Sequence, residues 1–124
     1  MAVTYTTAVK NARLDAVTAQ IGTTGVLEIG TAGMASVLAT IALNNPAAAG
    51  ASGAVLTFSG FPKSDTSADN TGTAAAARIR TASGGTDIVT GLTVGLSASD
   101  INLDSLSITA GQTVTINSAT ITHA

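Results

Sequence analysis

The sequence predicts a mainly β domain, a β-sandwich or jelly-roll-like fold of about seven or eight short strands preceded by one N-terminal α-helix. Three observations predict it. Apolar residues at helical spacing occur once, near the front, where Leu14, Val17 and Ile21 recur at three- and four-residue intervals. Beyond residue 22 the apolar residues alternate in short runs, separated by Gly, Asn, Pro and Ser. No fixed-period repeat is evident, which argues against solenoids and propellers. The 124 residues are expected to form a single domain, with residues 1–22 as the helical segment and 23–124 as the sandwich.

The helix is bounded by recognisable signals. Thr4, Thr6 and Thr7 offer hydroxyls for an N-cap, and Gly22 stands where a left-handed residue would end the helix. The Leu14–Val17–Ile21 stripe is expected to pack on the sheet. Ala8, Ala12, Ala16 and Ala19 form a second, smoother face. Alanine there serves either as the best helix former or as a surface that lets a neighbouring subunit approach closely. Lys10 and Arg13 are solvated charges or docking cations for an acidic partner. Val9, Lys10, Ala12, Arg13 and Ala16 are the candidate interface residues.

The strands follow in order. Leu27 and Ile29 share a face opposite Glu28. In residues 36–43, Val37, Ala39, Ile41 and Leu43 share one face, with Leu38, Thr40 and Ala42 on the other. Asn44-Asn45-Pro46 stops that strand, and residues 46–53 read as a small-residue surface loop. Leu56 and Phe58 mark a strand over 54–59, and Gly60-Phe61-Pro62 turns the chain, with Phe61 expected in the core. Residues 63–72 are the most polar and read as a solvated loop containing Asp65 and Asp69. Residues 73–81 hold four consecutive alanines, yet Arg78-Ile79-Arg80 alternates and Ser83-Gly84-Gly85 follows as a hairpin turn, so a strand is predicted. Its partner spans 88–94, with Ile88, Leu92 and Val94 on one face. Ile101-Asn102-Leu103 reads as a half-buried edge. Leu106 and Ile108 alternate, and Ala110-Gly111-Gln112 turns the chain. Val114 and Ile116 are out of phase with Ala119 and Ile121, so a bulge near Asn117-Ser118 is predicted.

Composition narrows the function classes. Two Phe, one Tyr and no Trp give modest core material, because alanine buries far less area than leucine or phenylalanine. Such a domain gains from assembly with a partner that binds its folded state. Charged residues make up 10% and the net charge is −2. That balance suits nucleic acid poorly, since phosphate must be neutralised and no aromatic residue interleaves with Arg78 and Arg80 to stack bases. No cysteine is present, so no disulfide or thiolate metal site can form. Met1-Ala2-Val3-Thr4 lacks a basic region and a long apolar run, so a cleaved signal is not expected. No stretch approaches the length of a membrane-spanning helix.

His123 is the sole histidine, stands second from the end, and is expected to fray; a serine triad needs a held imidazole. Asp100, Asn102 and Asp104 have the spacing that opens a calcium loop, but Ser105 and Gly111 occupy the positions that require Gly and Glu. Asp65 and Asp69 lack the aromatic platforms of a sugar cleft. Gly22-Thr23-Thr24-Gly25 and Gly50-Ala51-Ser52-Gly53 read as turns. No catalytic residue, metal or cofactor is expected.

Three segments carry a resemblance. The opening Tyr5-Thr6-Thr7-Ala8-Val9-Lys10-Asn11-Ala12-Arg13-Leu14-Asp15-Ala16-Val17 resembles the start of small virion structural proteins of tailed bacteriophages. Gly72-Thr73-Ala74-Ala75-Ala76-Ala77-Arg78-Ile79-Arg80 is similar to their middle. Asp104-Ser105-Leu106-Ser107-Ile108-Thr109-Ala110-Gly111-Gln112-Thr113-Val114-Thr115-Ile116 is similar to their ends. The resemblance implies a non-enzymatic role, a homo-oligomer and, by size and small-residue β character, a capsid decoration or cement protein. Its partner would be the major capsid protein, its place the outer head surface, and its assembly the host cytoplasm. A tail, collar or head–tail junction component is the alternative within the virion. A receptor- or glycan-binding module is the alternative outside that class, because loops on a β-sandwich often carry recognition.

Overall fold

The computed structural model describes residues 3–123. Helix α1 (Thr7–Ile21) begins where the Thr6 hydroxyl accepts from the Val9 amide at 3.3 Å, satisfying one of the amides a helix start leaves open. It ends at Gly22, whose φ of 75° is positive while ψ of −148° lies outside the left-handed helical well. Leu14 and Ile21 are buried and Val17 packs against the core. Burying such a side chain stabilises by about 1.5–3 kcal/mol.

Eleven strands follow among the described residues: β1 (Val26–Gly30), β2 (Val37–Ala42), β3 (Val55–Thr57), β4 (Lys63–Asp65), β5 (Gly72–Thr73), β6 (Ala76–Arg80), β7 (Asp87–Leu92), β8 (Val94–Gly95), β9 (Ile101–Leu103), β10 (Ser107–Ile108) and β11 (Val114–Thr122). The count exceeds the expected seven or eight because two expected runs divide, into β5 with β6 and β7 with β8, and because β4 forms in a stretch read as loop. One sheet has the order β2-β1-β6-β7. The other has the order β3-β11-β9-β8, with β4 also on β11, and β5 pairs with β10 alone. The two larger sheets share one core, centred on Leu27, Ile29, Leu38 and Ile79 from the first and Leu56, Ile101, Leu103 and Ile116 from the second. The fold is therefore mainly β with one N-terminal helix, as the alternation of apolar residues predicts.

Strand β11 organises the second sheet. On one side it pairs with β9; on the other it pairs first with β4 and then with β3, which lie end to end. Its register on β9 shifts between Ile116 and Ser118. The extra residue lets Val114, Ile116 and Ala119 all be buried, as the out-of-phase apolar residues require.

Helix α1 packs against β3 and β7, across the end of the domain where β1 begins. The approach is close at Gly25: a Cβ there would overlap Ile21 Cγ2 and touch Leu43 Cδ1 and the Arg80 carbonyl. Two helix side chains one turn apart also tie the helix to the 51–54 turn. Asp15 accepts from the Ala51 amide at 2.7 Å, and Asn11 from the Ala54 amide at 2.9 Å.

Several sequence expectations are corrected. Residues 46–53 are not a free surface loop. Ala47 and Ala48 are buried, Ala48 bridges to Phe58, and the Ser59 amide donates to the Ala47 carbonyl at 2.9 Å. Small side chains let this backbone enter the core, where alanine matches a loop composition and a core composition equally well. Residues 63–72 are exposed over most of their length, Asp69 among them, but they are not loop throughout. They include β4, and the segment after it closes the outer edge of β2: Asp65 accepts from the Thr40 amide at 3.0 Å, the Asp69 amide donates to the Leu38 carbonyl at 2.7 Å, and the Asn70 side chain donates to the Val37 carbonyl at 2.8 Å. Ile101–Leu103 is an inner strand between β11 and β8. In β7 the register slips near Arg80, so Val89, rather than Ile88, stands opposite Ile79. Residues 93–95 leave the first sheet and join the second beside β9. Phe61 is partly buried and packs against the core.

Candidate functional site

Helix α1 leaves its outward face exposed. Because Leu14, Val17 and Ile21 point inward, residues half a turn away must face solvent. Val9, Ala12, Arg13 and Ala16 are all exposed there, as are Ala8 and Ala19. Lys10, expected with them, is only partly exposed; its position lies nearer the Leu14 side of the helix than the outward face. Of the five candidate interface residues, the structure groups four on one surface and sets Lys10 at its flank.

Two residues missed in the sequence complete this surface. Tyr5 stands outside the helix, just before the extended N-cap Thr6. The Arg13 Cζ lies 4.6 Å from the centre of the Tyr5 ring, a stacking of cation on aromatic face. His123 meets the other side of the cluster, its ring edge-on to Tyr5 with centroids 6.2 Å apart. The expectation of a frayed His123 is corrected: its amide also donates to the Ala54 carbonyl at 2.9 Å, which extends the ladder beside β3. The four-residue spacing of Val9 and Arg13 was the legible signal; nothing local marks Tyr5 or His123 as their neighbours. Val3, Tyr5 and Val9 are 79%, 43% and 43% exposed, and they make up most of the exposed large apolar area among the described residues.

The outer face of the first sheet carries the second notable cluster. Glu28 is 5% exposed. Arg78, opposite it on β6, places Nε 2.6 Å from Glu28 Oε1, and Arg80 Nη1 lies 3.8 Å away. Arg80 also donates to the Gly85 carbonyl at 2.7 Å, and its Nε rests 2.9 Å from Asp87 Oδ1 in an ionic contact not aligned as a hydrogen bond. These four side chains sum to zero charge. Their arrangement braces the sheet and leaves no unbalanced cation to hold an anionic ligand.

The remaining acidic residues are engaged locally or stand alone. Asp100 accepts from the Thr93 amide at 3.0 Å while its own amide donates to the Thr93 hydroxyl at 2.9 Å, which clamps the crossing from β7 to β8. Asp104 and Asp69 are exposed, and their carboxylates make no hydrogen bond or ion pair among the described residues. Among the described residues no group of three or more acidic, histidine or cysteine side chains is placed to hold a metal, no pocket is found, and no helix is long and apolar enough to cross a membrane.

The fold and its surfaces thus define a two-sheet β domain presenting one uncovered helix face. In comparisons with known proteins, no family model matches the chain, and no curated protein or solved structure matches it.

Proposed function

We propose that this chain is a non-enzymatic structural protein of a tailed-bacteriophage virion, acting on the head as a decoration protein bound to the major capsid protein. The observation that carries the reading is the imbalance between closed and open surfaces. The edge of β2 is capped, the Glu28 cluster is neutral, and the strand register is pinned by a bulge. Among the described residues, three of the four exposed large apolar side chains, Val3, Tyr5 and Val9, fall on α1 or in the residues just before it, with Arg13 against Tyr5. Tyr and Arg are the residue types enriched where binding energy concentrates. The sequence resemblance to small virion proteins supports the same class.

The mechanism is area multiplied by repetition. Packaged DNA loads the joints between capsid subunits, and a small domain bridging a joint adds buried surface that must be lost before the joint opens. Each contact is modest, but many tethered contacts act together through effective concentration. The low charge of the chain, −2 overall, suits a partner that is protein rather than nucleic acid.

Imaging of purified particles tests the reading. Copies in the hundreds, on the outside of the head, are expected; a dozen or fewer at the portal, repeats along the tail, or absence from particles overturns it. Removing residues 1–22 would strip Leu14 and Ile21 from the core, so surface substitutions are the sounder test of the contact. Val9→Asp with Arg13→Glu is expected to lower head occupancy by about tenfold or more; undiminished occupancy refutes a role for this face.

A further inference from the structure

We infer that copies of this chain associate head to tail, the outward α1 face of one copy seating on the opposite end of the next, where Asp69, Asp104 and Leu96 lie. The inference starts from the charges the fold leaves over. Of five basic residues, Lys63 bonds Asn44, and Arg78 and Arg80 are tied into the Glu28 cluster. Lys10 and Arg13 alone have no hydrogen bond or ion pair to a protein oxygen among the described residues. Of seven acidic residues, Asp15, Glu28, Asp65, Asp87 and Asp100 are each bonded or ion-paired. Asp69 and Asp104 are left. Among the described Asp, Glu, Lys and Arg side chains, two cations and two carboxylates are thus left without a hydrogen bond or ion pair.

Their positions are opposed. The cations are on α1, which lies beside the finish of β11, where His123 meets Tyr5. The carboxylates flank the start of β11. The Asp104 amide donates to the Thr115 carbonyl at 3.3 Å, and Ala68, the neighbour of Asp69, donates to the Gln112 carbonyl at 2.8 Å. Eight residues of extended strand separate His123 from Thr115, roughly 25 Å. The exposed large apolar residues divide in the same way. Val3, Tyr5 and Val9 are at the helix, while Leu96, 59% exposed, follows β8, whose parallel register sets Gly95 beside Asn102 and leads the chain towards Leu103 and Asp104. Each end thus offers what the other lacks: cations with apolar side chains at one, carboxylates with an apolar side chain at the other.

The alternative arrangement, two α1 faces packed about a two-fold axis near Ala12, is disfavoured by charge. It would bring each Arg13 towards its own copy, where the one helix carboxylate, Asp15, is already held by the Ala51 amide, and like charges at an interface are repulsive. A head-to-tail contact is heterologous, so it builds either a closed ring or an open stack. The inference refines the building-block reading given above, but it concerns the purified chain alone. A protein that self-associates yet is missing from particles would sink only that reading, and a monomer found on particles would sink only this one.

The test is sedimentation velocity on purified full-length protein at low salt, with circular dichroism confirming that each variant folds. The wild type is expected to form oligomers that dissociate as salt rises. Arg13→Glu and Asp104→Arg, each alone, are expected to weaken association by about tenfold or more. An equimolar mixture of the two variants is expected to regain association, because the reversed end of each chain then meets a complementary end of the other. A monomeric wild type, an Asp104→Arg chain that associates as the wild type does, or a mixture that stays dissociated overturns the inference.

Discussion

Replacing Glu28 by Gln removes one charge and leaves the volume nearly unchanged, so it isolates the electrostatic brace on the first sheet. Breaking a fully buried ion pair by removing one partner costs about 3–5 kcal/mol, because the other charge stays desolvated and uncompensated. Glu28 is close to that limit at 6% side-chain exposure, but Arg78 and Arg80 each keep 21%. Their guanidinium groups retain part of their hydration, and the expected cost falls to about 2–3 kcal/mol. For a chain of this length that corresponds to a drop in Tm of roughly 8–12 °C. Circular dichroism is the suitable probe, since the sole Tyr is on the surface and reports poorly on the core. The loss is expected to persist at high salt, because a buried pair is screened far less than an exposed one. A double-mutant cycle with Arg78→Met then gives the coupling directly. A Glu28→Gln protein that melts within about 2 °C of the wild type, or a cycle with no coupling, refutes the assignment of Glu28 as a brace.

Two further perturbations test the helix seat and the capped edge. Gly25→Ala places a methyl group against Ile21 Cγ2, so it is expected to destabilise by about 1–3 kcal/mol. Ile21→Ala removes that Cγ2, so its cost is expected to be smaller in the Gly25→Ala background than in the wild type, and thermal melts of the single and double variants check it. Asp65→Ala removes the acceptor for the Thr40 amide, at a cost of about 1–3 kcal/mol. It also uncovers the β2 edge, so faster hydrogen exchange at Thr40 and aggregation on warming are expected, read by mass spectrometry and light scattering.

The fold was legible wherever side-chain size forced a choice. Leu14, Val17 and Ile21 could share a face only on a helix. Val114 and Ile116 against Ala119 and Ile121 demanded a bulge, and one stands at that place. The strand at Arg78-Ile79-Arg80 was readable despite the alanines before it, because charge alternated with a single large apolar residue. Where residues were small, the signal failed. Ala47 and Ala48 enter the core although their surroundings read as loop, since a methyl group is compatible with either place. Asp65, Asp69 and Asn70 read as solvated because polar residues cluster there, yet their backbone and side-chain groups serve a strand nearly thirty residues away, a partnership no local pattern records. The candidate surface was half legible. Val9, Ala12, Arg13 and Ala16 fall together by helical geometry alone. Lys10 sits at the margin because a residue three positions from Arg13 also lies one turn from Leu14. His123 joined the cluster only through the ladder that carries β11 past the helix.

The capping of β2 bears on how the protein behaves when crowded. A bare strand border recruits any other extended peptide, without regard to its identity and without limit on growth. Here a newcomer would have to displace a carboxylate, an amide and an asparagine side chain already seated on that border. Backbone-to-backbone accretion at this border is thereby handicapped, and encounters there are decided by side chains, which can tell one surface from another and stop when the matching places are filled.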